Sequence, residues 1–240
     1  KETLIIAGFG GQGVLSMGKI LAYSGVMQDF EVTWMPSYGP EMRGGTANVT
    51  VILSDRKISS PIAYQYDTAI ILNQQSMDKF EAKVRPGGTL IYDTNGITHH
   101  PTRTDIRIYT INAAEESAKL GNSKLFNTMI LGGYLKVCPV VTLENVALGL
   151  KKSLPERAWK MLPENEKAIR HGAEIIRQGS VYYQYINSRL YESALRLARA
   201  PRRFLEDELA RREKVGGKIE YLVTRGDYHH AALRLRHRAG

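Results

Sequence analysis

Two glycine-rich segments carry the residue types suited to holding an anion. The first, Gly8-Phe9-Gly10-Gly11-Gln12-Gly13, follows the apolar run Leu4-Ile5-Ile6-Ala7. The second, Ser37-Tyr38-Gly39-Pro40-Glu41-Met42-Arg43-Gly44-Gly45, follows Val32-Thr33-Trp34. Glycine leaves the main chain bare, so amide N–H groups can approach a phosphate that side chains would hold off. In the first loop Gly8 is expected to permit the tight turn, and Gly10 and Gly11 to admit an anion. Gly13 is expected to let the next helix lie close to the sheet. A strand-to-helix turn with no ligand fits the same residues. In the second loop Arg43 offers a planar fork that matches phosphate or carboxylate. Glu41, two residues away, is an alternative partner for it, and so is a companion chain. Tyr38 and Trp34 could pack the loop or stack on a ring; packing suits Trp34, which lies in the strand.

The elements that must position these loops can be read from hydropathy. Leu4–Ala7 is a short buried strand, and a helix follows over about Val14–Met27, with Leu15, Gly18, Ile20, Leu21 and Ser24 at near-helical spacing. Its first turn would turn free N–H groups and the positive end of its dipole toward the loop. Ala47–Leu53 alternates as a strand, Ser54–Lys57 reads as a turn, and Ile58 is placed at the start of a short return strand. Thr68–Leu72 is an apolar strand, followed by a helix through Met77 and Phe80. Pro86-Gly87-Gly88 reads as a turn, Thr89–Tyr92 as a strand ending at Asp93, and Ile106–Ile111 as another, before a helix over Ala113–Leu120. Helices over about Ser123–Val137, Leu143–Ser153 and Glu164–Gln178 close the body, punctuated by Pro139, Pro155 and Pro163. Strands alternating with helices predict an α/β fold with a mostly parallel sheet, flanking helices and right-handed crossovers. Both glycine loops then open at the carboxyl edge of the sheet, where such folds bind ligands.

Other polar residues at that edge are secondary candidates. Asn73 and Gln74 follow the strand at Thr68–Leu72; their amides could hold a pantetheine or adenine group, and capping of the next helix is the preferred reading. A dinucleotide fold would place an acid at the end of its second strand to hold a ribose hydroxyl. Glu31 falls before that strand, and Pro36-Ser37-Tyr38-Gly39 stands where the acid belongs. This argues against NAD. His99-His100 read as a solvated loop with no metal-ligand spacing around them, and His171 as an exposed residue of a charged helix. No Ser–His–Asp set follows from residue order.

Composition points to an accessory role. The chain has 240 residues and one cysteine, Cys138, expected to be a buried thiol. An iron–sulfur cluster takes four thiolates, so this chain cannot hold one alone. A single cysteine suits a reducing, cytoplasmic setting. The chain opens at a strand rather than a secretory signal, and no apolar run approaches a membrane span. The formal charge is +9, distributed as 20 Lys/Arg against 17 Asp/Glu in residues 1–180 and 13 against 7 in residues 181–240. The first segment is read as one domain of sufficient size for a core. The second is read as a basic, mainly helical C-terminal extension, with Ile186, Leu190, Ala194 and Leu197 forming an apolar stripe. Docking on a partner subunit is its default reading; no nucleic-acid or membrane role is expected, since charge runs usually form a solvated face.

Ile6-Ala7-Gly8-Phe9-Gly10-Gly11-Gln12-Gly13-Val14, followed by Trp34-Met35-Pro36-Ser37-Tyr38-Gly39-Pro40-Glu41-Met42-Arg43-Gly44-Gly45-Thr46-Ala47, resembles the gamma subunit of 2-oxoacid:ferredoxin oxidoreductases, most closely that of the 2-oxoglutarate enzyme. The resemblance covers roughly residues 3 to 178 and leaves the extension unrecognised. It implies a Rossmann-like domain packed on an alpha subunit. The complex would decarboxylate a 2-oxoacid oxidatively, pass the acyl group to coenzyme A and give electrons to ferredoxin. Thiamine diphosphate with Mg2+ would sit with the alpha and beta subunits, and iron–sulfur clusters on the beta subunit or a ferredoxin-like delta subunit. In related single-chain enzymes the equivalent domain lies beside the coenzyme A path. By that resemblance Gly8, Gly10, Gly11, Gln12, Gly13, Ser37, Tyr38, Gly39, Arg43, Gly44, Gly45, Asn73 and Gln74 form the candidate coenzyme or interface edge, with no catalytic residue on this chain. A pyruvate or branched-chain 2-oxoacid version of the same complex is the alternative within the family; a stand-alone nucleotide-binding protein is the alternative class, and the missing acid and the lack of a catalytic set count against it.

Overall fold

The computed structural model describes residues 1–37 and 46–179. Tyr38, Gly39, Glu41, Arg43, Gly44 and Gly45, and every expectation for residues 180–240, lie outside the described residues.

Strand and helix follow the hydropathy pattern closely. The strands are β1 (Glu2–Phe9), β2 (Glu31–Ser37), β3 (Thr46–Ser54), β4 (Tyr66–Ile71), β5 (Val84–Asp93), β6 (Arg107–Ile111) and β7 (Arg177–Gln178). The α-helices are α1 (Val14–Met27), α2 (Gln74–Phe80), α3 (Ala113–Lys119), α4 (Phe126–Val137), α5 (Leu143–Ser153) and α6 (Leu162–Ile175). They build one sheet in the order β2-β3-β1-β4-β5-β6-β7. β1, β4, β5 and β6 are parallel neighbours, as expected of an α/β sheet.

The margin beyond β1 departs from the expected plan. β2 is not a parallel neighbour of β1; it pairs only with β3, antiparallel, and β3 pairs antiparallel with β1. The connection from Ser37 to Thr46 is too short for a parallel crossover, which needs a dozen or more residues, so the chain must return alongside itself. Two reversals restore direction: β2 runs the same way as β1, one strand removed. Three smaller expectations also change. No strand starts at Ile58. Pro86-Gly87-Gly88 lies within β5, as a bulge that shifts the register from Tyr66↔Val84 to Thr68↔Thr89. The last helix stops at Ile175, where β7 adds to β6 antiparallel.

The central strands are buried on both faces, so β1 and β4 read as continuous apolar runs, whereas β2 and β7 at the margins are largely exposed. Leu4 and Ile6 of β1 face a core with α1, α4, α5 and α6 residues such as Met17, Leu21, Met129 and Val146. Ile5 and Ala7 face the opposite core, with Met77 and Phe80 of α2. Thus the helix after β1 covers one face and the helix after β4 covers the other. The boundary between β1 and β4 is the topological switch point of the sheet. No helix among the described residues is long and apolar enough to cross a membrane.

Candidate functional site

The switch point places the first glycine loop. Gly8 is not in the turn, as expected, but buried within β1. Its missing side chain makes room: a Cβ there would fall 2.6 Å from Gln12 Oε1 and 2.9 Å from Leu72 Cβ. The turn itself spans Phe9–Gln12, where Gln12 N–H donates to the Phe9 carbonyl at 3.2 Å. The left-handed backbone falls at Gly11, with φ 98°, and Gly13, with φ 75°. Gly10 is exposed. Gly13 does not serve close packing on the sheet; a Cβ there would meet Asn127 of α4, 2.7 Å from Nδ2. Asn127, a polar residue on an otherwise apolar helix, therefore presses on the loop.

Gln12 ties the edge together. Its Oε1 accepts from Phe9 N–H at 2.6 Å, and its Nε2 donates to the Leu72 carbonyl at 3.2 Å. Leu72 N–H in turn donates to the Ala7 carbonyl at 2.9 Å. One side chain thereby joins the carboxyl ends of β1 and β4. Gly13, the residue before α1, offers no side-chain cap, and the first turn of α1 carries no acid. Its opening N–H groups are left to other partners, which is the arrangement that favours an anion.

The strand residues on either side of the second glycine segment stand beside the first loop. Phe9 pairs with Thr46, and Ser37 pairs with Asn48, so the residues flanking 38–45 sit at the same edge as Gly8–Gly13. Ser37 closes β2 and is exposed. Trp34, placed in packing, is 40% exposed, although its Nε1 lies 3.3 Å from where a Gly18 Cβ would stand. Glu31 opens β2 at the far end of the strand, away from the edge.

Asn73 and Gln74 have structural partners. Asn73 is buried; its Oδ1 caps α2 by accepting from Ser76 N–H at 2.8 Å, while its Nδ2 and the Ser76 hydroxyl find no partner among the described residues. Gln74 reaches sideways: Oε1 accepts from Thr98 N–H and His99 N–H at 2.9 and 2.8 Å, and Nε2 donates to Asp78. Asp93, read only as the end of a strand, is a buried carboxylate at the same edge. It accepts from Asn95 N–H at 3.0 Å and Ala114 N–H at 3.1 Å, and burial raises its pKa despite those bonds. Its sequence signal was an acid at a strand end; its second partner, on α3, is 21 residues away and visible only in the fold.

Three remaining residues have side-chain neighbours of their own. Cys138 is half-buried, with its thiol pKa raised by burial and its Sγ 3.7 Å from the Thr68 hydroxyl. His171 is not freely exposed: its Nε2 lies 3.1 Å from Glu116 Oε2, with 34% of the side chain accessible. His100 Nδ1 lies 2.9 Å from the hydroxyl of the buried Tyr92.

Comparison with known proteins adds family evidence. Residues 3–175 match the family described as Pyruvate ferredoxin/flavodoxin oxidoreductase. Ketoisovalerate oxidoreductase subunit VorA of Methanothermobacter marburgensis is 39% identical over 127 residues, covering 53% of this chain and 26% of that protein. The chain thus spans about a quarter of that relative's length. 2-oxoglutarate synthase subunit KorC of Methanocaldococcus jannaschii is 28% identical over 183 residues, covering 74% of this chain and 95% of that one. The keto/oxoacid ferredoxin oxidoreductase gamma subunit of Geobacter sulfurreducens PCA superposes with a TM-score of 0.64 at 27% identity, covering 72% of this chain and 95% of that one.

Proposed function

This chain belongs to the Pyruvate ferredoxin/flavodoxin oxidoreductase family, and from that premise we propose that it is the gamma subunit of a 2-oxoglutarate:ferredoxin oxidoreductase. The holoenzyme would cleave carbon dioxide from the 2-oxoacid, join the oxidised acyl group to the coenzyme A thiol and pass the released electron pair to ferredoxin. Its partners would be alpha and beta subunits, with a ferredoxin-like delta subunit. Thiamine diphosphate, Mg2+ and iron–sulfur clusters would belong to them. Cys138 is the chain's one cysteine, and burial raises its pKa, so it suits neither a cluster ligand set nor a reactive thiolate.

The observation that carries the reading is the switch point between β1 and β4, with an uncapped α1 start behind a bare glycine loop. Such an edge fits the anionic end of coenzyme A or a companion subunit. Arg43, in the loop that leaves the neighbouring strand end, supplies the charge. Near full-length correspondence with KorC favours 2-oxoglutarate; higher identity to VorA over a shorter stretch favours a branched-chain 2-oxoacid as the second reading.

Two experiments test this. The chain should copurify with alpha and beta subunits and show no turnover alone; a purified single chain that oxidises or reduces a nicotinamide cofactor would place it in the other class. In the assembled enzyme, Arg43→Ala removes a charge-assisted contact of about 1.5–3 kcal/mol. The KM for coenzyme A should rise by roughly 10- to 100-fold, or assembly should fail. If both are unchanged, Arg43 has no such role.

A further inference from the structure

α5 is apolar on two sides. Val146, Gly149 and Leu150 face inward and are buried, with Gly149 leaving room for Ser24 of α1. Leu143 and Leu148 lie on the outside, each more than half exposed. The inward stripe is what a helix laid on a core requires; the outward leucines are not used by that core. The same helix ends in positive charge. Lys151 and Lys152 close α5, and the short turn Glu156–Met161 after it carries Arg157 and Lys160. Lys151 Nζ lies 4.7 Å from the centroid of the Trp159 ring, which holds the turn beside the helix end. The indole is exposed and donates its N–H to the Leu154 carbonyl at 3.3 Å. Among the described residues none of these four cations lies within ion-pair distance of a carboxylate, although Glu144 and Glu156 stand on the same two elements. Arg85, Arg103 and Lys119, by contrast, each reach an acid at 2.5 to 2.8 Å.

A run of charge by itself is a solvated face. Here it borders an exposed tryptophan and an exposed leucine, and an aromatic anchor ringed by polar groups is the composition of a protein interface. We propose that the outer face of α5 and the turn after it docks an acidic face of a companion subunit. Leu148 and Trp159 supply the apolar contact, and Lys151, Lys152, Arg157 and Lys160 supply the charge that an acidic surface complements. A base-stacking platform fits less well, because Lys151 already occupies a face of the indole. A lipid surface also fits less well, because the continuous apolar stripe of α5 is the one turned into the core. The proposal rests on the subunit reading and names the chemistry of one partner in it; it uses none of the glycine-loop residues.

Zero-length carbodiimide coupling of the assembled enzyme, read by peptide mass spectrometry, tests the surface. The reagent condenses a lysine amine with a carboxyl group in contact with it and takes up the water lost. Lys151, Lys152 or Lys160 should form amides with Asp or Glu side chains of the alpha or beta subunit. In parallel, Lys151→Glu combined with Lys152→Glu should weaken association with those subunits by about tenfold or more, because like charges then face each other. Lys57→Glu combined with Lys79→Glu makes the same charge change on exposed lysines elsewhere and should alter association by less than about twofold. Amides confined to other lysines of the chain, or equal weakening by both pairs, overturns the proposal. So does unchanged association in the first pair together with lost binding to phosphatidylserine vesicles or to a DNA duplex, which gives the face to a lipid or a nucleic acid. The outcome is separable from the subunit reading. If the chain does not copurify with alpha and beta subunits, that reading falls and the surface with it. If it copurifies while these lysines stay uncoupled, the surface alone is wrong.

Discussion

Gly13→Ala should be markedly more costly than Gly11→Ala, although both glycines lie in one exposed-looking loop. Both hold a positive φ, 75° at Gly13 and 98° at Gly11, and an L-residue there costs about 1–2 kcal/mol. They differ in surroundings. Among the described residues a Cβ at Gly11 has nothing within 4 Å, whereas one at Gly13 stands 2.7 Å from Asn127 Nδ2, 2.9 Å from its Cβ and 3.0 Å from its Cγ. Forcing that overlap adds about 1–3 kcal/mol, since a packed neighbour must shift. The totals are then about 1–2 kcal/mol for Gly11→Ala and about 2–5 kcal/mol for Gly13→Ala. At roughly 2–4 °C per kcal/mol for a chain of this size, the second variant should melt on the order of 10 °C below the parent, and the first a few degrees below it. Thermal unfolding followed by circular dichroism reads both. Adding Asn127→Ala to Gly13→Ala deletes two of the three crowding atoms and should recover part of the loss. If the two glycine variants lose the same stability within about 0.5 kcal/mol, the helix-to-loop contact is not what holds Gly13, and the reasoning fails.

Two further outcomes follow from the carboxyl edge. Asp93 has its pKa raised above the ordinary 3.8 by burial, so the folded state binds the proton more tightly than the unfolded one. Its contribution is therefore fully present below the unfolded value of 3.8 and lost as pH rises through the folded value; Asp93→Asn should flatten that part of a plot of Tm against pH. Glu2, raised in the same direction by burial, should retain its own share of the slope. Gln74→Ala removes the acceptor shared by Thr98 N–H and His99 N–H. Hydrogen exchange at those two amides should accelerate by about an order of magnitude while Tm moves little, because the lost bonds lie at an exposed loop; unchanged exchange would show that the loop is held by something else.

What the sequence determined by itself was the local content. The apolar runs at Leu4–Ala7 and Thr68–Leu72 had to be buried strands, and the spacing over Val14–Met27 had to be a helix with one face inward, because periodicity is a property of neighbours along the chain. The two glycine motifs, by their length and order, also carried the family resemblance. Tertiary structure decided what depends on partners far apart. Pairing β3 between β1 and β2 turned an expected parallel neighbour into an antiparallel margin, yet returned both loop anchors to one edge. That geometry follows from the short connection across residues 38–45 and from which strand offers a free ladder, neither of which hydropathy encodes. The assignments of single residues changed for the same reason. Gly8 makes room for Gln12 and Leu72 rather than bending the chain, Gly13 answers to Asn127 in another helix, and Gln12 reaches a carbonyl 60 residues further along the chain. A hydrogen bond's worth at such an edge depends on which backbone groups the fold leaves unpaired, and that is known only once the strands have been placed.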